Sequence, residues 1–123
     1  MKKTKSLEPS QRQLRVGEEI RHLLAAMFMR GDVYHPDLQG VSVTVTEVNV
    51  APDMRNATAY VSPLGGKISD EALCDVLNTE AHHFNQAIAK GLTMKFTPRL
   101  TFESDKRFDY AAKIDALLKK VQE

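Results

Sequence analysis

The residues best equipped for chemistry sit in "LNTEAHHFNQAIAKG", residues 77–91, where Glu80, His82 and His83 interrupt a stretch that otherwise reads as helix. Imidazoles and carboxylates at short spacing can bind zinc or move protons. A zinc pair on a helix needs its ligands on one face, as in His-Glu-x-x-His. Adjacent side chains diverge by about 100° on a helix, so His82 and His83 are expected not to grip one ion. Four residues to either side of His82 stand Asn78 and Gln86, both weak ligands. Glu80 and His83 form a Glu-x-x-His step, but di-iron bundles need two such steps plus facing carboxylates. The expectation is therefore no metal, no cofactor and no catalytic residue.

Other chemistry has no better support. Cys74 is the only cysteine, which excludes an internal disulfide and suits a reducing compartment. It is expected to be a small, semi-buried residue with inert sulfur. No Gly-x-Ser-x-Gly elbow occurs, and "PLGGKIS" lacks the Walker spacing. The enzyme alternative, a small metal-dependent hydrolase using His82 and His83, has no second motif behind it.

Charge is more informative once divided. Residues 1–30 carry seven Lys/Arg against three Asp/Glu, residues 31–80 two against eight, and residues 81–123 eight against five. The ends are basic and the middle acidic, a pattern that can set a positive face against a polyanion despite a net charge of +1. The longest unbroken apolar run, Leu23 to Met29, is far too short to span a bilayer. Lys2, Lys3 and Lys5 are not followed by the apolar stretch of a secretory signal, so a cytoplasmic protein is expected.

The elements that must position these groups follow from periodicity. After Ser10, a plausible cap, Val16, Ile20, Leu23, Leu24, Met27 and Phe28 fall on one helical face that Gly31 terminates. "VSVTVTEVNV" alternates like a half-buried strand, but Val41, Val43 and Val45 share one phase and Val48 and Val50 the other. A one-residue bulge near Thr46–Glu47 would return both sets to the core. "APDM" turns the chain, and "NATAYVS" is the partner strand. Ser69 starts a long or broken helical stretch whose apolar stripe is Leu73, Val76, Leu77, Ala81, Phe84 and Ile88. "KFTPRLTF" is expected as the last strand, with Phe96, Leu100 and Phe102 facing one way and Pro98 favouring an edge. The class is α+β, a three-stranded sheet with helices on one face.

Several segments together resemble the ribosome-binding factor A family. They are "VSVTVTEVNVAPDMRNATAYVSPLG" and "KFTPRLTFESD", with "RVGEEIRHLL" on the first helix and "KIDALLKK" near the end. The likeness covers about residues 10 to 121. It implies a KH-like (type II) αββααβ domain over residues 9–105. The polar, Lys-rich composition of residues 1–8 leads us to expect a disordered basic segment before it. The spacing of Tyr110, Ile114, Leu117 and Leu118 leads us to expect a C-terminal helical tail 106–123 after it. In that family an Ala-x-Gly kink replaces the KH Gly-x-x-Gly loop, and here it falls on Ala81 and His83, with histidine in place of the glycine. Either ordinary helical angles make this bend, or His83 bears strain. A second departure is "HPDLQG", where Asp37 stands in place of a basic residue.

The resemblance implies a non-enzymatic factor that binds free immature 30S subunits, assists late maturation of 16S rRNA near its 5′ region, and matters for cold adaptation. It also implies a monomer, no membrane, and an assembly GTPase as a further partner. Lys/Arg contacts to phosphates would supply most of the affinity. The residues expected to touch RNA are Arg12 and Arg15 on the first helix, His82 and His83 at the bend, and Lys90, Lys95 and Arg99 beyond it. A KH-like domain acting on another RNA is the rival among binding modules.

Overall fold

The computed structural model describes residues 8–33, 35–64, 68–94, 96–105 and 117–118. The segment 1–8 (apart from Glu8), Lys95 and all of the tail 106–123 except Leu117 and Leu118 lie outside the described residues.

Helix α1 spans Gln11–Arg30. Ser10 caps it in a full capping box: its hydroxyl accepts the Gln13 N–H, and the Gln13 side chain accepts the Ser10 N–H. Gly31 ends it at φ 69, a left-handed angle that glycine takes without steric cost. After a short 3-10 turn at Pro36–Leu38 come strands β1 (Ser42–Val50) and β2 (Asn56–Leu64). Helices α2 (Asp70–Thr79) and α3 (Ala81–Gly91) follow, then strand β3 (Arg99–Ser104). The order αββααβ is KH-like.

The sheet runs β1-β2-β3, antiparallel then parallel. The register slips between Val45 and Glu47, so Thr46 is the extra residue of a bulge. Val45, Val48 and Val50 are consequently all buried, as the change of phase in the sequence predicts. They join Ala57, Ala59, Val61, Leu100 and Phe102 beneath the helices. Phe84 of α3 is fully buried at the centre, its ring 5.4 Å from Phe28 and 5.0 Å from Phe102. Such tilted and edge-on aromatic pairs add to simple burial. Helix α1 lies unusually close to β1 at Gly17, where a Cβ would stand 2.6 Å from the Val48 carbonyl oxygen.

Two details differ from the sequence-based expectation. The last strand begins at Arg99, not in "KFTP", and Phe96 lies outside it, 75% exposed. The parallel ladder starts where the Arg99 N–H reaches the Arg55 carbonyl at 2.8 Å; Pro98, one residue earlier, has no N–H to donate. The second difference concerns the helical break, which falls at Glu80 with φ −96 and ψ 16. Its N–H bonds back to the Val76 and Leu77 carbonyls, and the His83 N–H restarts the ladder on the Glu80 carbonyl at 3.0 Å. Among the described residues Met54 is the one non-glycine with positive φ. His83 therefore carries no left-handed strain, and ordinary backbone angles make the bend.

Candidate nucleic-acid interface

The N-terminus of α1 is fastened to one end of the sheet. The Gln13 side chain, already part of the capping box, donates its amide to the Val50 carbonyl at 2.8 Å. That bond sets the first turn of α1, with exposed Arg12, beside the β1–β2 turn. The turn holds itself together: the Met54 N–H meets the Ala51 carbonyl at 2.8 Å, and the Arg55 N–H meets the Asp53 carboxylate at 3.0 Å. The α3–β3 loop arrives at the same place. Arg12, Asp53, Met54, Arg55, Met94, Phe96 and Thr97 together line a cavity of about 530 Å³.

Sequence reasoning singled out Arg12 and Arg99 but missed Arg55. The structure joins them at this end, since Arg55 lines the cavity with Arg12 and shares a backbone hydrogen bond with Arg99. Arg99 is exposed while Leu100 is buried, so Arg99 lies on the sheet face away from the helices. Arg55 follows directly on "APDM", and its role could have been suspected only from knowing which loops meet there. Arg15 is exposed one turn along α1 from Arg12, a spacing at which helical side chains are neighbours. Farther along that helix the positive charge is spent within the protein: Arg21 is bidentate to Glu18 at 2.9 and 3.0 Å, and Arg30 pairs with Asp32 at 2.6 Å. Arg12 and Arg15 make no ion pair among the described residues.

His82, His83 and Lys90 are exposed on α3, and no hydrogen bond or ion pair among the described residues ties them to the arginine-bearing end. Their own geometry corrects the sequence argument. The imidazole centroids of His82 and His83 lie 4.0 Å apart, and His83 Nε2 is 3.3 Å from the Glu80 carboxylate. One ligand atom from each of Glu80, His82 and His83 falls within 4.8 Å of the others. The 100° divergence of a regular helix does not apply to Glu80, which sits at the break. These three are thus the described residues able to converge on a divalent cation.

Acids from the middle of the chain and from the end of β3 collect elsewhere. Glu47, Glu71, Asp75, Glu103 and Asp105 line a second cavity of about 870 Å³, with Cys74 at its wall. Thr46, the bulged residue, donates its hydroxyl to Asp105 at 2.5 Å. Burial, and then the charges of Asp70, Asp75, Glu103 and Glu71, push the Cys74 thiol up to about 11. Strand β3 therefore leads from Arg99 at the basic end towards Asp105, just past its end at the acidic cavity, six residues or roughly 20 Å away.

The family model described as Ribosome-binding factor A matches residues 12–118. A protein of that name from Rhodospirillum rubrum is 49% identical over 118 residues, covering 96% of this chain and 71% of the relative. Another from Dinoroseobacter shibae is 50% identical over 101 residues, covering 82% of this chain and 74% of its own. Among solved structures, a solution structure of a Thermotoga maritima protein is similar at 27% identity and a TM-score of 0.64, covering 83% of this chain and 94% of that one. A Thermus thermophilus ribosome-binding factor A, fitted as a homology model into a cryo-EM map of its 30S complex, shares the fold at 20% identity and a TM-score of 0.60, covering 76% and 94%.

Proposed function

We infer the function from kinship first: the chain belongs to the ribosome-binding factor A family. On that footing it binds the small ribosomal subunit while the subunit is free and immature, and assists late maturation of 16S rRNA, including its 5′ region. It acts by binding, without catalysis, in the cytoplasm and as a monomer. Among the described residues no helix is long and apolar enough to cross a membrane. Rescue of slowly rearranging RNA is most needed in the cold, which makes the factor a cold-adaptation protein. An assembly GTPase is its expected partner in release.

The observation that carries this reading is the separation of charge. Arg12 and Arg55 line one cavity at one end of the sheet, where the Arg99 backbone bonds to that of Arg55, while five carboxylates gather around the other cavity. A polyanion is attracted to the first and repelled by the second. The basic end, extended by Arg15, meets rRNA phosphates; His82, His83 and Lys90 add contacts along the α3 side, and Lys95 is a further expected contact. Sucrose-gradient sedimentation of lysate from cold-grown cells tests the proposal. The protein travels with free 30S particles and not with translating ribosomes; absence from ribosomal fractions at low salt overturns it.

A further inference from the structure

We propose that the cavity between the start of α1, the β1–β2 turn and the α3–β3 loop is a site for one unpaired nucleotide of RNA. The inference rests on the RNA-binding reading above and specifies what that end recognises. Three segments distant in sequence converge on the cavity, and each brings a group suited to part of a nucleotide. Phe96 presents a ring that is 75% exposed, and the Met54 and Met94 side chains supply an apolar floor beside it. A ring of this kind stacks any of the four bases. Arg12 and Arg55 stand at the same cavity to meet the phosphates on either side. The one acid there, Asp53, accepts the Arg55 N–H at 3.0 Å, so its carboxylate is occupied in holding the turn.

Two further observations favour a built site. The cavity volume, about 530 Å³, falls in the range of about 300–1,000 Å³ typical of small-molecule sites. Met54 holds φ 64, a backbone angle that a non-glycine residue seldom adopts and that recurs where function imposes a geometry. An aromatic ring with two thioether side chains distinguishes a base from a merely acidic partner. A carboxylate-rich peptide would use the arginines and leave the apolar floor empty.

Fluorescence anisotropy with the full chain tests this, using a labelled single-stranded hexaribonucleotide, the same oligomer with one abasic position, and a duplex of equal charge. The parent protein binds the single strand best. Phe96→Ala weakens that binding about tenfold or more and leaves duplex binding unchanged; Phe96→Tyr restores it. Arg55→Gln weakens both. Because Phe96 is exposed, its removal leaves the core intact, which circular dichroism confirms. Equal loss on single strand and duplex, no loss with Phe96→Ala, equal affinity for the abasic oligomer, or displacement by polyglutamate but not by RNA each overturns the proposal. The gradient experiment separates the two readings. If parent and Phe96→Ala both travel undiminished with 30S particles while the oligomer data fail, only the nucleotide site falls; if the parent never associates, the ribosomal reading falls.

Discussion

Asn78 satisfies both backbone groups of Phe102: its amide oxygen accepts the Phe102 N–H at 2.8 Å and its amide nitrogen donates to the Phe102 carbonyl at 3.0 Å. Two residues earlier on the strand and seven later on the helices, Asn85 accepts the Leu100 N–H at 3.0 Å. Since β3 pairs with β2 on one side only, these two asparagines occupy the hydrogen-bonding positions of its open edge. They also fasten the α2–α3 pair on both sides of its break at Glu80. Asn78→Ala leaves two partly buried backbone groups without partners and costs about 1–3 kcal/mol. Urea unfolding reads this as a lower midpoint with an unchanged slope. A midpoint equal to the parent's would mean that water replaces the amide at no cost.

Gly17→Ala sets helix propensity against packing. Alanine favours the helix by about 1 kcal/mol, but its Cβ would lie 2.6 Å from a backbone carbonyl oxygen that cannot rotate away. Packing wins, with a net loss of about 1–2 kcal/mol in the same unfolding assay. Gly91→Ala is the control, because the obstacle there is the flexible Leu23 side chain at 2.8 Å. It stays within about 0.5 kcal/mol of the parent.

The Cys74 thiol is unreactive in the folded chain at ordinary pH. Raising its pKa from 9.0 to about 11 lowers the thiolate fraction near pH 8 about 100-fold. Iodoacetamide alkylation of the native protein is correspondingly slow and accelerates on unfolding in urea. The sign of the linked stability follows: between pH 9 and 11 the folded chain keeps a proton that the unfolded chain has released, so stability falls as pH rises through that window. Equal alkylation rates for native and unfolded chains at pH 8 would contradict the burial of Cys74.

Arg12→Gln combined with Arg55→Gln reduces the affinity for 30S particles and makes it less sensitive to salt. Each lost phosphate contact removes roughly 0.7–0.9 from the slope of log affinity against log salt, so the pair removes about 1.5. Titrations between 50 and 200 mM salt measure it. An unchanged slope would place the phosphate contacts elsewhere.

Most of the architecture was legible because it depends on local spacing. The bulge at Thr46 showed in the sequence as a change of valine phase, and the caps Ser10 and Gly31 as residue types. Phe96 was misplaced because apolar alternation continues through "KFTPRLTF", whereas the ladder waits for the first usable N–H after Pro98. The site was less legible than the fold. Arg55 has no distinctive neighbours in sequence; its meaning comes from two other segments brought to it by Gln13 and by the β3 ladder. The closeness of the His82 and His83 rings was missed because a helical projection fixes where side chains leave the backbone but not where their rotatable ends swing, and the place of Glu80 was missed because it sits at a break.

The opposed charges at the two ends of β3 have an effect before any contact is made. In the field of a large polyanion such a body feels a torque as well as a pull, so it rotates while still diffusing and arrives with Arg12 and Arg55 leading. Fewer collisions are wasted on the wrong side, and the gain fades as added salt shortens the reach of the field to about 10 Å at 0.1 M.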